Sequence, residues 1–126
     1  MERKKNKRAT AHESRLFQEI FNISKQVRYV ALLHDGKLEK MERPELSGSS
    51  SSESDKYEEI IVNPTLLTLL RQRGDIDCGG LRHVVIRYGN FYQYVRPLRN
   101  GHISVAFETT CDYTPLLPRI NRIVGQ

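Results

Sequence analysis

The chain has 126 residues, 38% of them apolar and 28% charged, with a net charge of +5. That length and balance suit a single soluble domain able to bury a core without metal or disulfide staples. No apolar run approaches the ~20 residues needed to cross a bilayer, and no apolar h-region or small-residue cleavage site follows the basic start, which sets aside membrane-spanning and secretory readings.

The charge is unevenly placed. Met1 to Arg8, MERKKNKR, holds five basic residues and one acid, so most of the net charge sits there and the rest is nearly neutral. Residues 1–9 are expected to form a disordered basic tail, with nucleic-acid or anionic-surface contact as the alternative. Thr10 and Glu13 form a T-x-x-E capping box that marks a helix start. Behind it Leu16, Phe17, Ile20, Phe21 and Ile23 line one face, with Arg15, Glu19 and Lys25 on the other, which predicts an amphipathic helix of about fifteen residues.

Arg28 to Leu33, RYVALL, reads as a strand that ends in His34-Asp35-Gly36. Asp-Gly favours a type I′ turn because both central residues need positive φ. Lys37 to Met41 then returns as a charged edge strand. Residues 47–55, SGSSSSESD, are expected to be a mobile serine-rich loop, with modification by a kinase as the sharper alternative. Asn63-Pro64 predicts a helix start and Gly74 a stop. Leu66, Leu67, Leu69 and Leu70 spread widely over so short a helix, which calls for cover from two sides: a sheet below and either a partner subunit or the chain's own loops above.

Gly89-Asn90 and Asn100-Gly101 predict two-residue hairpin loops joining strands at about Leu81 to Tyr88, Phe91 to Leu98 and His102 to Glu108. Val85 then faces Tyr94, Leu98 faces Ile103, and Tyr94 faces Phe107. Leu81, His83, Val85, Arg87, Tyr92, Tyr94, Arg96, Leu98, Ile103, Val105 and Phe107 share one side of the sheet. Gln93, Val95, Ser104 and Ala106 are among those on the other. Both sides are substantially apolar, so both need cover. Asp112 or Pro118 opens a terminal helix with Leu116, Leu117, Ile120 and Ile123 on one face.

No catalytic set emerges from these residues. Arg87, Phe91 and Tyr94 partly match an RNA-recognition signature, but Gly89-Asn90 is a turn that splits it, and the element order is not βαββαβ. The meander puts His83 and His102 on opposite sides of the sheet, where they cannot share a metal. Cys78 and Cys111 stand in neither CxxC nor zinc spacing, and read as reduced thiols rather than a bridge. No nucleophile–base–orienter set can be named, and DCGGL lacks the helix and lysine of a P-loop.

The hairpin RYVALLHDGKL, the meander HVVIRYGNFYQYVRPLRNGHISVAF and the helices around them resemble the roadblock dynein-light-chain family over residues 10 to 123. The chain also resembles small archaeal proteins with a divergent RYVA…DG unit of this kind. The serine-rich insert, Pro64 and the missing small-residue pattern of the second helix depart from that family. The resemblance implies an α+β, profilin-like single domain over residues 10–126, with order α-β-β-α-β-β-β-α and a five-stranded antiparallel sheet covered on both faces. It implies a cytoplasmic, non-enzymatic module without a cofactor, which dimerises through its second helix and third strand and scaffolds or regulates a small GTPase. By position the interface is Leu66, Leu67, Leu69, Leu70, Leu81, His83, Val85 and Arg87. The alternative is a profilin-like sensor with a small-ligand pocket near Tyr92, Tyr94 and Arg96; nucleic-acid binding through the basic tail ranks third.

Overall fold

Phe17, Ile20 and Phe21, spaced i, i+3, i+4, turn one face of helix α1 (Ala11–Phe21) into the core. Burial of side chains this size contributes about 1.5–3 kcal/mol each. The computed structural model describes residues 11–46 and 52–125; the tail, Thr10 of the capping box and residues 47–51 of the serine-rich run lie outside them. Strands β1 (Val27–His34) and β2 (Lys37–Glu42) follow, joined by Asp35 and Gly36 at φ 52° and 79°, as a type I′ turn requires. Strands β3 (Val84–Arg87), β4 (Tyr92–Leu98) and β5 (Gly101–Phe107) complete one antiparallel sheet, ordered β2-β1-β5-β4-β3.

Both faces of the sheet are covered. Val30, Leu32, Tyr94, Ile103, Val105 and Phe107 pack with α1 and with the terminal helix, whose Leu117 and Ile120 point inward. That helix begins as a 3-10 turn (Thr114–Leu116) and continues as an α-helix (Leu117–Val124), with Pro115 and Pro118 each in a first turn where no N–H is missed. The opposite face lies under a long helix built from α2 (Ser52–Lys56), a π-helical segment (Tyr57–Val62) and α3 (Asn63–Asp77); the terminal helix is thus α4.

The long helix differs from expectation at both ends. Its first turn takes in Ser52 to Asp55, part of the predicted serine-rich loop. Asn63 does not cap it, because helical conformation runs straight through Lys56, Val62 and Asn63. Pro64 cannot donate to the carbonyl of Ile60, and the ladder just before it is loosened into π form, with Asn63 N–H on Glu58 O. Nor does Gly74 end the helix. The chain reverses at Gly79 and Gly80, at φ 80° and 87°, with Gly80 N–H on Gly74 O at 3.0 Å. A Cβ on Gly74 would lie 3.2 Å from Gly80 and Leu81 backbone, so the glycine serves close approach.

The meander differs in detail too. Strand β3 spans only Val84–Arg87, and Leu81 to His83 approach it without strand pairing. Val85 does face Tyr94, and Tyr88 N–H reaches Phe91 O at 2.9 Å, so the first hairpin has its predicted register. The second turns at Arg99-Asn100 and not Asn100-Gly101: Leu98 pairs Gly101, Arg96 pairs Ile103, and Tyr94 pairs Val105. Gly101 is needed elsewhere, since a Cβ there would sit 1.7 Å from the carbonyl oxygen of Leu33 on β1. A slip of two residues preserves sidedness, so the predicted faces survive the change in pairing. Among the described residues no helix is long and apolar enough to cross a membrane, and Cys78 (exposed) and Cys111 (buried) are free thiols.

Candidate interaction site

Helical periodicity sorts the leucines of α3 by depth. Leu67 is 4% exposed and faces inward, Leu66 and Leu70 are half-buried, and Leu69 points out at 60% exposure. Ile76, seven residues and two turns further on, is 75% exposed on the same side. Tyr57, Ile60 and Ile61 add exposed apolar area on the preceding turns. Beyond β4 the sheet ends at β3, whose outer ladder edge has no strand beside it among the described residues. An exposed apolar helix face and an open strand edge are the two features a protein partner can use.

Around that edge, Leu81 and Val85 are half-buried, whereas His83 and Arg87 are exposed. The His83 ring lies 5.3 Å from that of Tyr94, and partial burial and the Arg96 cation both lower its pKa. Arg87 stacks over Tyr92 at 5.1 Å and donates to the carbonyls of Tyr88 and Gly89. Tyr92, Tyr94 and Arg96 do share one side of the sheet, but the two tyrosines are covered by other parts of the chain. Tyr94 is fully buried and donates to Asn121 Oδ1 of α4 at 2.7 Å, while Tyr92 packs on Tyr113 with ring centroids 4.9 Å apart.

The other face carries a polar cluster that the sequence reading missed. Glu59, from the π segment, is fully buried between the helix and the sheet. Its Oε1 accepts from Asn63 Nδ2 at 3.0 Å and His102 Nε2 at 2.8 Å. Its Oε2 accepts from Ser104 Oγ at 2.7 Å, Tyr29 OH at 3.1 Å and, more weakly, Gln93 Nε2 at 3.4 Å. That fills a carboxylate's capacity of about four strong acceptor positions. Burial first, and then the Glu59 charge, push the Tyr29 hydroxyl well above the usual tyrosine range. The signal available in the sequence was the alignment of Gln93 and Ser104 on one otherwise apolar side. Nothing local in YEEIIV singles out Glu59 as their partner.

Next to it, Glu58 Oε1 accepts from Tyr88 OH at 2.8 Å, and burial with that bond pushes the Tyr88 hydroxyl up to about 12. Burial also raises the Glu58 carboxyl above the ordinary glutamate range, although the Tyr88 bond works against it. The helix here stands off the sheet and leaves a groove of about 750 Å³ between Glu58, Tyr29 and the β3–β4 hairpin.

No family model matches the chain, and no curated protein matches it. A solved structure of MglB in a tetrameric arrangement is similar over nearly the whole chain. The two are 13% identical with a TM-score of 0.71, and the match covers 93% of this chain and 88% of that one. At that identity the likeness is one of fold, and the fold is roadblock-like, with five antiparallel strands and helices on both faces.

Proposed function

We propose that the chain is a cytoplasmic, non-catalytic dimerisation module that scaffolds or regulates a small GTPase. The observation that carries this reading is the exposed Leu69–Ile76 stripe on the same domain as the open edge of β3. Both features suit a partner: an apolar stripe on a helix gains from cover, and an unpaired strand edge can take a further strand. A two-fold axis beside both would cover them together, because an isologous contact sets each patch against its own copy. The likeness in fold to a protein solved as a tetrameric arrangement supports an assembling role. The roadblock-like fold and the resemblance of the hairpin and meander to that family support a small GTPase as the partner.

Light scattering coupled to gel filtration tests the assembly at tens of micromolar. The wild type is expected to run as a dimer, or as a larger even assembly, and the Leu69→Asp/Ile76→Asp double variant as a folded monomer. A wild type that stays monomeric overturns the reading. For the partner, affinity purification from the source cells should retain a GTP-binding protein that the double variant loses.

A further inference from the structure

The groove under the first turns of the long helix has a chemistry of its own, distinct from the Leu69–Ile76 stripe. Its volume of about 750 Å³ falls within the range of small-molecule sites. Carboxylates predominate at its walls: Glu42, Asp55 and Glu58 face it with Glu59 buried behind them, and Arg28 is the one cation among its described lining residues. Arg28 is already engaged, bonded to Glu108 at 3.0 Å with its guanidinium over the Phe91 ring at 5.9 Å, and so occupies one side of that ring. Asp55 is paired with Lys40 at 3.2 Å, and Glu59 has its buried donors.

Glu58 is different. One of its oxygens holds the Tyr88 hydroxyl, while the other, Oε2, is buried with no donor among the described residues. A buried carboxylate oxygen without a donor is costly. Around it stand aromatic rings. Tyr88 and Phe91 form a corner with centroids 5.2 Å apart and planes at 48°, and Tyr29 and the exposed Tyr57 add two more. Ring faces attract cations, and a carboxylate short of a donor takes a charged N–H. An anion would meet repulsion here, and a neutral apolar ligand would leave Glu58 Oε2 unbonded.

We propose that this groove binds a small organic cation, an amine or guanidine on an apolar stem, with its N–H groups on Glu58 and its charge among the Tyr29, Tyr57, Tyr88 and Phe91 rings. The site makes the module ligand-responsive, whether or not it dimerises.

The probe is agmatine, which carries a guanidine and an amine on a four-carbon stem, titrated into the full chain by NMR and calorimetry. The expected result is saturable binding, with resonance shifts concentrated at Tyr57, Glu58, Tyr88 and Phe91. Glu58→Gln keeps an oxygen for Tyr88 and should weaken binding about tenfold or more. Tyr57→Leu, at an exposed position that folding tolerates, and Phe91→Leu should each weaken it several-fold and serve if Glu58→Gln fails to fold. Glutamate, as an anionic control, should not bind. Equal affinity in all three variants, shifts scattered over the surface, or binding of an arginine-containing peptide without binding of agmatine would each overturn the proposal.

Discussion

The unusual residue in this protein is Glu59. A carboxylate with no solvent access is stable only when its lone pairs are filled, and five side chains from three strands and the helix itself supply the donors. It therefore pins the long helix to β1, β4 and β5 through directional bonds where an ordinary core would use methyl groups. Glu59→Ala should cost about 3–5 kcal/mol in urea unfolding at neutral pH, because Tyr29, Ser104, Asn63 and His102 would all lose their acceptor. A loss below about 1 kcal/mol would mean that these donors find other acceptors and that the cluster does not hold the helix. Gln93 and Ser104 could be placed together from the meander alone, since sidedness follows from strand alternation. Their partner could not, because it comes from a helix with no sequence-local tie to the sheet.

At the scale of elements, two glycines that look alike in the sequence do different work. Gly36 follows Asp35 in a two-residue turn, has open space around it, and is chosen for its φ of 79°. Gly101 follows Asn100 but lies in β5, where a Cβ would be driven into the Leu33 carbonyl of β1. Gly36→Ala should thus lower stability by about 1–2 kcal/mol, the cost of a left-handed residue with a side chain. Gly101→Ala should be far worse, breaking the β1–β5 pairing or leaving the protein insoluble. Thermal unfolding of the two variants separates the cases, and equal midpoints would contradict the assignment. The dipeptide pattern Asn-Gly led to a turn at Asn100-Gly101 because local preference is all a short motif carries; contact with the neighbouring strand moved the turn one residue back. The long helix teaches the same lesson. Asn63-Pro64 and Gly74 are good local signals for ends, but packing against the sheet and the reversal at Gly79-Gly80 carry the helix past both.

At the scale of the molecule, the domain presents two surfaces for different kinds of partner: the apolar stripe with the β3 edge, and the carboxylate–aromatic groove. The Tyr88 N–H bonds inward to Phe91, so strand alternation turns the Val85 and Arg87 N–H groups toward the open edge. If copies pair there, hydrogen exchange at Val85 and Arg87 should slow as protein concentration rises, while exchange within β5 stays constant. Concentration-independent fast exchange at both residues would argue against edge pairing. The element order after the first helix, the first hairpin and its turn, the sidedness of the meander and the need to cover both its faces were legible in the amino-acid pattern. Those properties follow from periodicity and turn chemistry, which act over a few residues. The ends of the long helix, the register of the last hairpin, the burial of Glu59 and the position of the groove emerge only in the folded chain. The last three depend on contacts between residues 30 or more apart, where packing and hydrogen-bond satisfaction outweigh local preference; the far end of the helix turns on the nearer reversal at Gly79-Gly80.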